Sequence, residues 1–451
     1  MLNRLLFQRI DNSSLLIFRI FFGILVSLEC FGALLTGWVK RNLVTPQFTF
    51  PFIDFEWLQH LAGPGMYFYF AIMGTLGICI ALGYKYRFSI IVFTILWAAV
   101  YLMQKTAYNN HYYLLILISF LMCLFPAHRN YSIDARTNMV SKQDSMYAYV
   151  KWIIVLQLLI VYVYASIAKL YGDWLDFGMI KILMRPKADY FLIGEILQEP
   201  WAHKIIGTVG ILFDLFIIPA LLWKPTRKIA FFLSIFFHLF NSIVFQIGIF
   251  PYLSLAFSVF FFETETIRKI FFKNKTRCFA EKISYPSFKT SFLLGFGMYF
   301  IVQALLPLRH HTIKDNVLWT EEGHRMSWRM MLRSRNGRGH FKVVNHTTGK
   351  QIFIRTDDYL NQSQKRKVFS YPDFAWQFAN YMKKEYSQNG EKIAVYLIES
   401  TISINGRPHV PFIDSKTDLA NTPWNPYKHH DWILPSKLNR DTESKANKPT
   451  N

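Results

Sequence analysis

The chain has 451 residues, 52% of them hydrophobic and 18% aromatic, with 43 phenylalanines and a formal net charge of +21. Its apolar residues gather in blocks before about residue 305, and blocks of roughly 18–22 such residues match a hydrocarbon core of about 30 Å, which excludes an ordinary soluble chain. The basic excess lies largely in short loops between those blocks, where membrane topology accounts for it and nucleic-acid binding is not called for.

Nine candidate spans follow in chain order: 15–36, 66–83, 88–104, 112–126, 148–168, 204–223, 229–247, 250–262 and 291–306. The opening MLNRLLFQRIDNSSLLIFRIFFG has no small-residue cleavage site after a short apolar core. It is therefore read as a retained first span rather than a signal peptide. Arg19 and Glu29 lie within that span, nearly on one face. Intramembrane charges are functional candidates, and the preferred reading is that these two tie the first span to polar groups on its neighbours.

Arg4 and Arg9 precede span one, Lys85 and Arg87 follow span two, and Arg129, Arg136 and Lys142 follow span four. WKPTRK follows span six and IRKIFFKNKTRCFAEK follows span eight. With nine spans all these loops share one side, expected to be cytoplasmic. The other side receives the 37–65 loop, the KTAYNNH turn, the 170–203 loop, the IGIFPY turn and everything after 306. Four cysteines (Cys30, Cys79, Cys123 and Cys278) show no metal-ligand spacing and none follows residue 278. The C-terminal part is expected to carry no disulfide of its own, and no metal is expected.

The predicted fold class is a polytopic α-helical membrane protein of about nine spans with a C-terminal soluble α+β domain. The division falls at 1–306 and 307–451. In the tail, HFKVVNHTTGKQIFIR reads as a hairpin bending at TTGK, and YPDFAWQFANYMKKEY has helical spacing. KIAVYLIESTISINGRPHVPFID reads as two strands joined at Asn405-Gly406. From Pro435 onward the chain is polar and expected to fray.

Three stretches concentrate polar groups where lipid makes them costly. KTAYNNHYYL carries Asn109, Asn110 and His111, which could hydrogen-bond a hydroxyl or an oxyanion, or simply form a wet turn. FFHLFNSIVFQIGIFPY sets His238 and Asn241 on one helical face ahead of a Gly248–Pro251 break and Tyr252. That combination favours a cavity over a lone packing histidine, and no spacing completes a metal site. ASIAKLYGDWL puts Lys169 at the end of span five. A lysine enclosed among apolar groups favours the neutral amine, a competent base, whereas one at an open helix end snorkels to water. Asp173 and Trp174 do not settle the choice.

Taken together, KTAYNNHYYL, ASIAKLYGDWL, FHLFNSIVFQIGIFPYLSLA and LPLRHH with WTEEGHRMSWRMMLRSR resemble the vitamin K-dependent γ-glutamyl carboxylase family and its HTTM membrane domain. The resemblance runs from about residue 12 to about 434, four motifs in order. It implies a carbon–carbon lyase using vitamin K hydroquinone (or menaquinol), O2 and CO2, without a metal. In the enzymes resembled, a lysine deprotonates the hydroquinone and O2 addition gives a strong base. That base takes a glutamate γ-proton, the carbanion adds CO2, and the quinone leaves as its epoxide. The resemblance assigns the base to Lys169 and the Asn-His pair to Asn110 and His111. It leaves Asn109, His238, Asn241 and Tyr252 as quinol-pocket candidates. It matches the glutamate-binding stretch to Trp319 through Trp328, with His324 standing where the animal enzymes carry tyrosine. Arg325, Arg329 and Arg333 are expected to meet carboxylates.

The implied partners are a Glu-containing peptide or protein, membrane lipid and a quinone reductase that recycles the epoxide, with no nucleic acid. The implied location is a bacterial inner membrane with a periplasmic C-terminal domain, the eukaryotic counterpart being the endoplasmic reticulum. Two other readings are a quinol epoxidase that does not carboxylate and a non-catalytic membrane protein that binds a lipid or peptide.

Overall fold

An apolar run in lipid must satisfy its backbone internally, so it folds as helix. In the computed structural model, which describes residues 2–278, 283, 285–387, 391–436 and 438, seven helices are long and apolar enough to cross a membrane. These are α1 (Ser13–Leu35), α2 (Gly65–Leu82), α3 (Tyr86–Met103), α5 (Tyr149–Ile167), α6 (Pro200–Leu222), α7 (Arg227–Phe245) and α9 (Lys289–Leu305, prolonged to Thr312). The shorter apolar helices α4 (Asn110–Leu124) and α8 (Phe250–Ala256, prolonged to Phe260) fall on the fourth and eighth expected spans. Chain contacts divide the protein into two compact units. The first comprises 1–45, 51–163 and 212–303; the second comprises 46–50, 164–211 and 304–451.

Within the first unit α1 and α2 pack with almost no side chain between them. A Cβ on Gly23 would lie 2.3 Å from the Ala81 nitrogen, and one on Gly77 would lie 2.8 Å from the Ser27 nitrogen. Small residues at such a crossing are how membrane helices approach closely. α2 ends at Gly83, whose φ of 65° is the left-handed cap that glycine adopts without strain. The Asp134 carboxylate then accepts the Lys85 and Tyr86 amides at 2.7 and 2.9 Å, satisfying the first turn of α3.

Arg19 donates to the carbonyls of Ala127 and Tyr131 at 2.8 and 2.6 Å, and Glu29 accepts from the Tyr112 hydroxyl at 2.7 Å. Both intramembrane charges thus tie the first span to its neighbours, as expected. A two-stranded ladder, β1 (Arg9–Asp11) with β2 (Ser145–Tyr147), adjoins a buried ion pair in which Lys275 donates to Asp11 at 2.5 Å. That lysine belongs to a basic loop read as purely topological, yet it is buried and structural.

The second unit has an antiparallel sheet in the order β4-β3-β5-β6, with β3 at Arg335–Asn345, β4 at Gln351–Phe353, β5 at Ile393–Ile404 and β6 at Val410–Pro411. The expected hairpin at TTGK is β3–β4, and the Asn405-Gly406 turn joins β5 to β6. α10 (Gln362–Ser370) opens with a capping box of Asn361 and Gln364. α11 (Pro372–Tyr386), with proline in its first turn, is the helix expected from its spacing.

Helices and sheet bury a core that includes Trp319, Phe341, Phe374, Phe378 and Val395. Residues 46–50 join it from far upstream: Phe50 packs 4.9 Å from Phe374, and Phe48 stacks on Tyr381 at 4.1 Å. The fraying expected from Pro435 falls, for 437 and 439–451, outside the described residues.

Replacing Gly77 by alanine forces the α1–α2 crossing apart, an overpacking cost of about 1–3 kcal/mol that lowers the melting temperature by a few degrees. Gly295→Ala, inside α9 where nothing lies within 4 Å, does not lower it. Thermal melts in detergent that fail to separate the two variants would remove the close-packing argument.

Candidate functional site

The polar stretches fall into two sets, one in each unit. In the membrane unit Asn109 caps α4, its Oδ1 accepting the Tyr112 amide at 2.7 Å. The next residue, Asn110, is buried and accepts from the Tyr108 hydroxyl at 2.8 Å. His111 stacks on Phe250 with ring centroids 3.9 Å apart, so the KTAYNNH turn and the IGIFPY turn meet. His238 approaches the same phenylalanine edge-on at 6.3 Å, and its Nε2 lies 3.2 Å from the Tyr162 hydroxyl. The His238 Nδ1 is buried with no hydrogen-bond partner among the described residues. The structure therefore gathers His111 and His238 about one aromatic ring. Asn241 is half-buried one turn beyond His238. Tyr252, 45% exposed, hydrogen-bonds Ser242 at 3.0 Å.

In the second unit α5 stops at Ile167 and the chain turns at Lys169, whose amide bonds the Ser166 carbonyl at 3.0 Å. The lysine is 7% exposed, so it does not reach solvent as a snorkelling residue would. Its Nζ donates to the Ala165 carbonyl at 3.2 Å and sits 5.5 Å from the Trp174 ring centroid. Trp174 is anchored by its Nε1 to the Gly207 carbonyl at 3.1 Å. Beside it, Asp173 accepts both arms of the Arg407 guanidinium at 2.7 and 2.6 Å and the Asn405 amide at 2.7 Å. Tyr171 donates to the Leu332 carbonyl. The loop after the lysine is thus clamped to the β5–β6 turn and to the stretch before β3. Neither tie was visible in the sequence, where Asp173 looked uninformative.

The stretch from Trp319 to Arg335 is tightly enclosed. Trp319 and Trp328 are each 1% exposed, and Trp319 donates to the Leu434 carbonyl at 2.7 Å. Glu321 receives Arg333 in a two-pronged pair, with Arg335 at 3.5 Å. Burial alone would raise the Glu321 carboxyl; the Arg333 and Arg335 charges override it and hold that group far below the ordinary carboxylate value. Arg325 is engaged too, donating to Asp373 at 2.8 and 3.2 Å. Arg333 and Arg325 therefore already hold carboxylates of the chain itself. Burial first, then the neighbouring Arg333, lowers Arg329 to about 10. His324 is fully enclosed; burial, reinforced by Arg333, holds it well below 6.5, and its Nδ1 has no partner among the described residues. Sequence reasoning missed Glu322, whose carboxylate takes His429 at 2.8 Å and His430 at 2.7 Å. The adjacent histidines near residue 430 were its only signal.

A family model for the HTTM domain matches residues 7–265, more than half of the chain. A second, for the lumenal domain of vitamin K-dependent gamma-carboxylase, matches residues 288–439. No solved structure matches the chain.

Two outcomes follow from this geometry. Removing the clamp by Asp173→Ala or Arg407→Ala frees the lysine loop, so backbone amides of residues 168–176 exchange hydrogen at least about tenfold faster, whereas unchanged protection would show that the clamp does not order the loop. For acidity, the unfolded chain takes up a proton on His324 near 6.5, while the folded chain resists it. Stability is therefore full above that value and falls as pH drops below it. Glu321 adds a further loss below about 4.5, where the unfolded carboxyl protonates before the folded one. Melting curves from about pH 7.5 to about pH 5 show the first loss, to which His60 and His128, also held low by burial, contribute, and His324→Gln makes it shallower; a His324→Gln curve as steep as the wild type would contradict the assignment.

Proposed function

The chain belongs to the vitamin K-dependent gamma-carboxylase family, and we propose that it is an integral membrane enzyme that couples oxygenation of a naphthohydroquinone to carboxylation of glutamate. The observation that carries this reading is the tandem match, an HTTM domain over 7–265 followed by the carboxylase lumenal domain over 288–439. Buried hydrogen-bonding groups and aromatic faces suit a planar, hydroxylated ring. The unpartnered Nδ1 of His238 and the Phe250 ring shared by His111 and His238 are such features.

When bound, and with O2, the hydroquinone supplies a base strong enough to take a glutamate γ-proton so that CO2 can add, and it leaves as the 2,3-epoxide. The protein's own part is positional and acid–base. Lys169 takes the hydroquinone proton; its enclosure beside Trp174 keeps competing water away from the amine. Asn110 and His111 supply polar contacts toward a ring oxygen, and Asn109 fixes the start of their helix. On the glutamate side, the proposed contacts come from Trp319, His324, Trp328 and the arginines 325, 329 and 333.

One observation favours a second reading, quinol epoxidation without carboxylation. Arg325 and Arg333, the groups best suited to a substrate carboxylate, are paired with Asp373 and Glu321.

Purified protein given reduced quinone, labelled bicarbonate and a short Glu peptide separates the readings. Epoxide with fixed carbon supports the first, epoxide alone the second, and neither product leaves a binding protein. Lys169→Ala is expected to abolish both products while the protein stays folded, with partial rescue by small amines. Normal epoxidation by that variant overturns the lysine's role. His324→Tyr leaves epoxidation intact and changes peptide use; an effect confined to quinol use would remove His324 from the glutamate side.

A further inference from the structure

The membrane unit contains a cavity of about 700 Å³ that none of the chemistry above uses. Its walls are Ile20, Ile24 and Leu28 of α1 with Ile78 and Leu82 of α2. Ile24, Leu28, Ile78 and Leu82 are 45%, 59%, 46% and 52% exposed on helices apolar enough to lie in lipid. The glycine-mediated crossing described above brings the two backbones so close that their larger side chains splay outward and leave this groove open along one flank.

The far end of the groove is cationic. Arg136 and Lys142 are exposed on its rim, and neither has an acidic partner among the described residues. Arg19, wholly buried, forms part of the wall. Its guanidinium is held by carbonyls alone, its Nε has no partner, and no carboxylate lies within ion-pair distance among the described residues. A buried cation with no carboxylate in direct contact is costly, and Asp134 acts on Arg19 only from a longer range.

The nearby acids are occupied elsewhere. Asp134 caps the start of α3, while Asp144 accepts from Asn130 at 2.7 Å and lies 3.7 Å from Lys275. No acidic side chain lines the cavity among the described residues. Gly83 sits at the junction of wall and rim, where a Cβ would lie 2.4 Å from Ser132 and 3.0 Å from an Arg19 nitrogen.

From these observations we propose that the groove binds a phospholipid with an anionic headgroup. Its acyl chain lies along Ile24, Leu28, Ile78 and Leu82, and its phosphate lies between Arg136 and Lys142, where it adds negative charge on the side of Arg19 that the cavity faces. Basic pockets between membrane helices recognise such headgroups through the same combination of apolar wall and cationic rim. Arg19, having no exposed surface, acts through its field; Arg136 and Lys142 make the direct contacts.

The test uses the full-length protein, delipidated in detergent and given back phosphatidylglycerol, phosphatidylcholine or glycerol phosphate. Bound lipid is counted by native mass spectrometry, alongside melting temperature. Phosphatidylglycerol is expected to be retained in preference to phosphatidylcholine and to raise the melting temperature, while glycerol phosphate does neither. Arg136→Gln and Lys142→Gln each weaken retention about fivefold. Leu28→Trp, which fills the apolar arm without touching charge, weakens it too. Equal retention of the two lipids, full retention by the Arg136→Gln, Lys142→Gln double variant or by Leu28→Trp, or stabilisation by glycerol phosphate alone would each overturn the proposal.

Discussion

A charge withdrawn in part from water favours a fixed partner, and in the second unit one such pairing restrains the loop that follows the proposed base. Asp173 takes both arms of Arg407 and the amide of Asn405, fastening the turn after Lys169 to the end of the sheet. In a medium of low dielectric such two-pronged pairs are directional as well as strong, so they fix geometry and not merely proximity. The same rule organises the rest of the unit. Glu321 draws in Arg333 and Arg335, Asp373 holds Arg325, and Glu322 collects two histidines from near the C-terminus. Each pair joins segments that hydrophobic burial alone would leave free to slide.

The membrane unit answers the same constraint differently. The hydrocarbon of a bilayer offers no polar partner, so charges of this unit turn to the backbone and to each other: Arg19 to loop carbonyls, Lys275 to Asp11. Close helix packing depends instead on residues with no side chain to exclude. Gly23 and Gly77 bring α1 and α2 into backbone contact at points where any larger residue would collide with a main-chain atom.

Much of this was legible in the chain. Hydropathy marked every apolar helix, because a span leaves a signal within its own twenty or so residues. The hairpin turn at Asn405-Gly406 and the helix beginning at Pro372 carry equally local cues. What escaped were pairings set by distance in sequence. Nothing around Asp173 announces Arg407, and nothing in the 37–65 loop announces that Phe48 and Phe50 enter the C-terminal core. The arginines after Trp319 looked available to a substrate because their acids, Glu321 and Asp373, meet them only in three dimensions. For the candidate site, the local residues left Lys169 and the Asn-His pair open between a chemical and a structural part, and only the family resemblance singled them out, while the clamp behind the lysine had no local signature at all.

That clamp has a consequence for the order in which the protein is made. Asp173 and Arg407 are 234 positions apart, and the turn that carries Arg407 lies beyond the last membrane helix. A chain emerging from the ribosome can insert its spans in sequence, each stabilised as it arrives. The segment bearing Lys169 is then in place long before its restraint exists. Its final geometry is reached only when β5 and β6 have been synthesised and folded, so the amine is set last, after the soluble part is complete. A polypeptide cut short before residue 407 would lack this tie and leave Lys169 to its local contacts with Ala165 and Trp174.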